Sequence, residues 1–274
     1  GRVLVMDMSR SMYASDIKPN RLTQARYKAK DLLMRWISGT TALVAYAGDA
    51  YTVSPMTSDS ATITNLLPTL SPDIMPYQGA DATKAVKLAI ELLKNAGLAK
   101  GHIVLITDDI DDNERDEIVN LLQHSHWNLT ILGVGTQAGA PIVQSDGSLL
   151  KMMDGQTVIA KANFSNMKAL AQSTGGSFIS IQPDNSDVDT IATLTSSSTP
   201  SVGDKNSQTV SNRVNNGFWL IPLLMIPTLS LFRRGMIFCL LGLLLSNSFI
   251  PAVQASPWLN SDQQAKQLFD AGDY

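Results

Sequence analysis

The sequence predicts an α/β domain built on a doubly wound, mainly parallel sheet and followed by a transmembrane helical hairpin. Three observations lead there. Short apolar, β-rich runs alternate with amphipathic helical stretches through residues 1–198. Two of those runs end abruptly in aspartate, and two long uncharged apolar runs follow a polar stretch near the end of the chain. Strands that alternate with helices imply right-handed crossovers and a sheet covered on both faces. In such folds ligands bind beyond the carboxyl ends of the strands.

Taken in order, residues 3–6 (VLVM) form a strand that stops at Asp7. Residues 21–37 carry Leu22, Ala25, Ala29, Leu32, Leu33 and Trp36 at helical spacing, with Asn20 available as a cap. A strand over 41–46 ends at Ala47 and Gly48, and a helix over 81–94 keeps Ala85, Leu88, Ala89, Leu92 and Leu93 on one side. A buried-type strand over 103–106 runs into Thr107, Asp108 and Asp109. A helix over 114–124, a strand over 129–134, a helix over 163–173 and a strand over 177–181 complete the alternation.

Beyond this domain, residues 199–216 (TPSVGDKNSQTVSNRVNN) are polar and aperiodic, as a linker is. The apolar runs 218–232 and 236–253 follow, separated by Arg233, Arg234 and Gly235. A spanning helix needs about 20 apolar residues, so 217–253 reads as a hairpin. Its Arg-Arg tip favours the cytoplasmic side, which turns both flanking segments outward. The same Arg-Arg, the second apolar run and Val253-Gln254-Ala255 also read as an internal signal peptide with a cleavage site. The chain opens at Gly1 inside a strand and closes at Tyr274 inside the start of a helix, as a piece of a longer protein does.

Composition removes several function classes. A net charge of -3 gives no electrostatic reason to expect nucleic acid. The single cysteine, Cys239, excludes an intramolecular disulfide framework and a cysteine-based zinc site. His102, His124 and His126 lack ligand spacing and read as surface or capping residues, and no Ser–His–Asp or Cys–His set can be assembled. The stretch Gly133-Val134-Gly135-Thr136-Gln137-Ala138-Gly139 follows a strand but misplaces its third glycine, so it reads as a turn and not as a dinucleotide loop.

The chemistry concentrates at the strand ends. Asp7-Met8-Ser9-Arg10-Ser11 places a carboxylate and two hydroxyls at alternate positions in a turn, where their oxygens can face one centre. Asp108 supplies a second carboxylate from a distant strand. Carboxylate and hydroxyl oxygens, without imidazole or thiolate, suit hard cations such as Mg²⁺, Mn²⁺ or Ca²⁺. Within the acidic run 108–112, only the first member is expected to face the site, with the rest solvated.

The stretch MDMSRSM, with Asp16, Pro19, Asn20, Arg21 and Leu22 behind it, resembles the first loop of the metal-ion-dependent adhesion site of von Willebrand factor A (VWA) domains. ITDD, GVGTQAGAPI, LAQSTGGSF and the FRRG hairpin extend the likeness to the bacterial Bat (aerotolerance) type, and DQQAKQLFDAGDY resembles the opening of a tetratricopeptide repeat within 256–274. The resemblance implies a VWA, Rossmann-like fold with Asp7, Ser9 and Ser11 as first-loop metal ligands and Asp108 as the third-loop ligand. The second-loop position, usually threonine, falls on Ala80, which has no side-chain oxygen. Asp81 beside it is the candidate to take over, or a water fills the gap, and Asp109 stands where glycine is common.

The same resemblance implies a protein-binding module of the bacterial inner membrane, and the Arg233-Arg234 tip places the VWA domain and repeats in the periplasm as an expectation. The expected partner presents a carboxylate to the metal. Related VWA or tetratricopeptide membrane proteins and a MoxR-type ATPase are further expected partners, and the role is envelope maintenance or stress tolerance. Two other classes stand beside it: a structural spacer with a metal-free site, and a Mg²⁺-dependent aspartyl phosphotransferase with Asp7 as nucleophile. The latter lacks its general acid, because Ser9 stands where a second aspartate is needed.

Overall fold

The computed structural model describes residues 1–123 and 125–196. The expected linker, hairpin and repeat opening, and His124, lie outside the described residues. Among the described residues no helix is long and apolar enough to cross a membrane.

In chain order the elements are β1 (Arg2–Asp7), α1 (Arg21–Arg35), β2 (Thr41–Tyr46), β3 (Ala50–Thr57), α2 (Ser60–Leu66), α3 (Ala82–Asn95), β4 (Gly101–Thr107), α4 (Asp112–Leu122), β5 (Trp127–Gly133), β6 (Ala140–Pro141), β7 (Ile159–Ala160), α5 (Phe164–Ser173), β8 (Ser177–Ser180) and α6 (Ser186–Ser196). The main sheet runs β3-β2-β1-β4-β5-β8, with β3 antiparallel to β2 and the other pairings parallel.

The register explains why these strands read as continuous apolar runs. Val5 of β1 lies between Val44 and Leu105, and Met6 between Ala45 and Ile106, so these two levels are apolar across the three central strands. Leu4 and Met6 pack with residues of α1, α2 and α6 on one face. Val3 and Val5 pack with residues of α3, α4 and α5 on the other. A strand buried on both faces has no place for a polar alternate. Each fully buried Val, Leu or Ile contributes roughly 1.5–3 kcal/mol, so β1, β2 and β4 together form the centre of the core.

Helix boundaries follow their caps. Asn20 accepts from the Thr23 N–H at 2.8 Å and starts α1 as the sequence suggests. α1 closes at Arg35, two residues before its expected end, leaving Ile37 outside and exposed. α4 begins at Asp112 and not at 114 because Asp111 and Glu114 form a reciprocal capping box.

Elements absent from the sequence reading have identifiable causes. β3 contains Pro55, which argues against a strand but is tolerated at a sheet edge, where its nitrogen owes no ladder bond. α6 is rich in Ser, Thr and Asp, yet Val188, Ile191 and Thr195 give it a buried stripe at helical spacing. Residues 140–160 form a small antiparallel excursion, β6 with β7 and single bridges Val143↔Leu149 and Lys151↔Thr157. The bridge Ala14↔Ile142 seats this excursion against the segment after β1. His102 departs from its expected surface place: it lies within β4 and is buried, whereas His126 is exposed as expected.

α6 is held to α1 by polar bonds as well as apolar contact. Lys28 Nζ meets Asp187 Oδ1 at 2.8 Å with both side chains buried, and it also reaches the Asp184 carbonyl. Trp36 Nε1 donates to Thr195 Oγ1 at 2.9 Å. Removing one member of a buried pair strands the other charge, at a cost of about 3–5 kcal/mol. Asp187→Ala is therefore expected to lower the stability of the domain by about 3 kcal/mol in urea unfolding. A loss below about 1 kcal/mol would mean that this pair does not anchor α6.

Candidate metal centre

β1 and β4 are adjacent and parallel, so the residues that end them meet at one rim. Asp7 is the last residue of β1 and Asp108 follows the last residue of β4; each is only 1% exposed. After Asp7 the chain bends, and the Met8 N–H donates to the Tyr46 carbonyl at 2.7 Å. Met8 and Met12 point into the core and pin the turn from below. Between them Ser9 and Ser11 remain at the rim.

These side chains form one connected series. The Ser9 N–H donates to Asp7 Oδ1 at 2.7 Å, Ser9 Oγ lies 2.8 Å from Ser11 Oγ, and Ser11 Oγ donates to Asp108 Oδ1 at 3.0 Å. Asp7 Oδ2 accepts from Thr107 Oγ1 at 2.7 Å and from the Tyr46 hydroxyl at 3.1 Å. Asp7 is thus a buried carboxylate satisfied by neutral donors alone.

Asp108 has a cationic neighbour. Its Oδ2 accepts from Arg21 Nη1 at 2.5 Å. The rest of the Arg21 fork engages Asp16, Nε to Oδ1 at 2.8 Å and Nη2 to Oδ2 at 2.7 Å, and Nη2 also reaches the Ala160 carbonyl. Asp16 Oδ2 accepts in addition from the Thr136 N–H at 2.8 Å and from its hydroxyl at 2.9 Å. Arg21 is fully buried. The glycine-rich turn closes over it: a Cβ on Gly135 would stand 2.7 Å from Arg21 Cζ, and the Gly135 φ of 113° excludes most other residues. No local spacing signals this network, because Arg21 sits 87 residues from Asp108 and Thr136 sits 120 from Asp16.

The electrostatics follow from burial. Desolvation, and then the charge of Asp7, push the Asp108 carboxyl up to about 7 against the opposing pull of Arg21 and Ser11. Desolvation also raises Asp7, despite its bonds from Ser9, Thr107 and Tyr46. Burial acts upward on Asp16 as well, but Arg21 and Thr136 outweigh it and hold that carboxyl below its ordinary value. In this network three carboxylates face one guanidinium. Ionised, they leave an excess of two negative charges, which a divalent cation would neutralise.

The donor chemistry agrees. Among the described residues no cluster of three or more His, Cys, Asp or Glu side chains is placed to hold an ion. An ion at this rim would rest on the carboxylates of Asp7 and Asp108 with the hydroxyls of Ser9 and Ser11, a hard-oxygen set. Asp81 is not brought into the series. It caps α3, accepting from the Lys84 N–H at 3.1 Å, and pairs with Lys84 Nζ at 3.3 Å. Ala80 is exposed, as are Asp109, Asp111 and Asp112.

A doubly wound α/β domain with a hard-oxygen site where its central strands end is the class defined by this geometry. Residues 2–110 match the family model of the von Willebrand factor type A domain. It resembles the crystal structure of a conserved hypothetical protein, BatB, from Bacteroides thetaiotaomicron, at 25% identity and a TM-score of 0.65 over 71% of this chain and 96% of that one. It shares its fold with proximal thread matrix protein 1 of the mussel byssus, whose structure has a zinc-occupied MIDAS motif (17% identity, TM-score 0.51, 70% of this chain and 44% of that one). A UPF0353 protein of Mycolicibacterium paratuberculosis is 27% identical over 186 residues, 64% of this chain and 53% of that protein. The chain spans about half the length of the curated relatives it matches.

Two predictions follow from the buried charges. Gly135→Ala combines a positive φ with a clash on Arg21 and is expected to cost at least about 2 kcal/mol in urea unfolding. Gly155→Ala, also at positive φ (83°) but with open space around it, isolates the backbone cost and should lose about half as much. Equal losses would mean that closure over Arg21 contributes nothing. The second concerns pH. A carboxyl raised in the folded state binds its proton more tightly there, so its contribution to stability is complete below 3.8 and is lost as pH rises towards about 7. Denaturation in chelator from about pH 4 to about pH 8 should therefore show a downward contribution that Asp108→Asn flattens. Identical slopes in both proteins would refute it.

Proposed function

We propose that this domain docks a protein partner through a divalent cation held by Asp7, Ser9, Ser11 and Asp108. The observation that carries the proposal is the Asp7 carboxylate, buried without a cationic partner and linked through Ser9 and Ser11 to Asp108. Mg²⁺, Mn²⁺ or Ca²⁺ would supply a hard Lewis-acidic point able to take a carboxylate oxygen from another molecule. The chain's own part is to hold its oxygens in place: Tyr46 and Thr107 fix Asp7, and Arg21 fixes Asp108. Asp81 would join only by giving up its hold on Lys84 and the α3 cap. Zinc at the MIDAS motif of the mussel protein supports an ion at a site of this kind.

Binding fits the geometry better than catalysis. A phosphoryl-accepting Asp7 would need a general acid two residues on, and Ser9 stands there.

In this proposal the apolar runs 218–232 and 236–253 anchor the chain in a bacterial inner membrane, with the VWA domain and following repeats facing the periplasm. The role proposed is envelope maintenance or stress tolerance, as the resemblance to the Bat (aerotolerance) type implies. The proposed partners are a protein that presents a carboxylate, related VWA or tetratricopeptide membrane proteins, and a MoxR-type ATPase.

Calorimetric titration of Mg²⁺ and Mn²⁺ tests the site. Saturable binding is expected in the natural sequence and its loss in Asp7→Ala/Ser9→Ala. At an ion concentration 100 times Kd, the bound domain should gain about 2.7 kcal/mol of apparent stability. No binding in the natural sequence would reject the docking proposal in favour of a spacer.

A further inference from the structure

Arg10 stands between the two serines of the rim, and nothing in the metal site uses it. We infer that Arg10 is a second anion-binding point, and that the partner docked at this rim is an acidic segment carrying two carboxylates, one for the ion and one for Arg10. The inference rests on the docking function proposed above.

Its first support is position. Arg10 follows Ser9 and precedes Ser11 at the start of the 3₁₀ turn Arg10–Tyr13, one residue from each hydroxyl of the connected series. Unlike Arg21, it is exposed. A guanidinium beside a cation site is repelled by the ion, and the repulsion is relieved when an anion arrives between or beside them.

The second support is the way the side chain is held. Arg10 Nε donates to Gln78 Oε1 at 3.0 Å. The amide of Gln78 is itself fixed, its Nε2 donating to the carbonyls of Pro72 at 3.0 Å and Met75 at 3.3 Å. The loop that carries Gln78 is seated in turn. The Gly48 N–H donates to the Tyr77 carbonyl at 3.1 Å, a Cβ on Gly48 would stand 2.5 Å from the Gln78 carbonyl oxygen, and the Tyr13 hydroxyl donates to Asp73 Oδ2 at 2.6 Å. Surface arginines pay rotamer entropy to be ordered. Here that cost is met in advance by a neutral amide, which leaves the charge uncompensated.

The third support is what remains free. The single Nε bond leaves both terminal nitrogens of Arg10 with no hydrogen bond or ion pair among the described residues. Those nitrogens form the edge of the fork that matches a carboxylate bidentately. An ordered, exposed and unneutralised fork beside a site that takes one carboxylate is suited to a second.

The test uses the full 274-residue chain in detergent micelles with saturating Mg²⁺ and two blocked pentapeptides, followed by ligand-observed NMR titration. One peptide has glutamate at its second and fourth positions; the other has glutamine at the fourth. The two-glutamate peptide is expected to bind about tenfold tighter, the worth of one charge-assisted bidentate pair. In Arg10→Gln the two peptides should bind equally, with Mg²⁺ binding by calorimetry retained and, the repelling charge being gone, no weaker than in the natural sequence. Persistence of the full preference in Arg10→Gln, or equal binding of both peptides to the natural sequence with Mg²⁺ bound, would overturn the inference while leaving the ion site intact. Failure of Mg²⁺ to bind at all would overturn the docking proposal itself.

Discussion

The buried guanidinium of Arg21 is the constraint on which the rim depends. It opens α1, yet its side chain reaches the loop after β1 through Asp16, the end of β4 through Asp108 and the 140–160 excursion through the Ala160 carbonyl. Through Asp16 it also gathers the turn after β5, by way of Thr136. Removing a charge from water is expensive unless every donor finds an acceptor. Four of the five N–H donors do here, one from Nε, one from Nη1 and two from Nη2, and the result is a rivet through segments far apart in sequence.

That rivet makes the position of Asp108 depend on the helix as well as on the strand. β1 and β4 bring Asp7 and Asp108 to the same rim by register alone. Register sets the backbone, but the carboxylate planes are turned by Arg21, Ser11, Thr107 and Tyr46. The two carboxylates consequently differ in character: Asp108 balances a fixed charge, whereas Asp7 is stabilised only by dipoles. Burial in a nearly dry place displaces both groups upward, and the charge of Asp7 adds to the effect on Asp108.

Much of this was legible in the chain itself, for physical reasons. β1, β2 and β4 are buried on both faces, so their apolar runs survive as a signal independent of partners. Asp7, Ser9 and Ser11 were legible because a strand end followed by alternating oxygens needs only local geometry to converge, and Asp108 because a second apolar strand of a parallel sheet ends at the same rim. Arg21 was not legible in its role, since a charged residue at the first helical position normally faces water and its partners are remote. The glycine-rich turn read correctly as a turn, but its service to Arg21 depends on a close approach that sequence spacing does not encode. β3 was hidden by Pro55 and α6 by its Ser and Thr content, both overridden by tertiary context. Asp81 read as a neighbour to the site, yet helix capping claims its carboxylate first.

The edges of the main sheet carry a consequence of their own. One edge is β3, broken by Pro55 and by register shifts against β2; the other is β8, only four residues long. Neither offers a long straight row of free amides and carbonyls, the template on which strands of neighbouring molecules add. Copies crowded together would find no backbone seam to zip along, and fibrillar growth through this sheet is closed off. Contact with other molecules is thereby left to side chains, where recognition can discriminate.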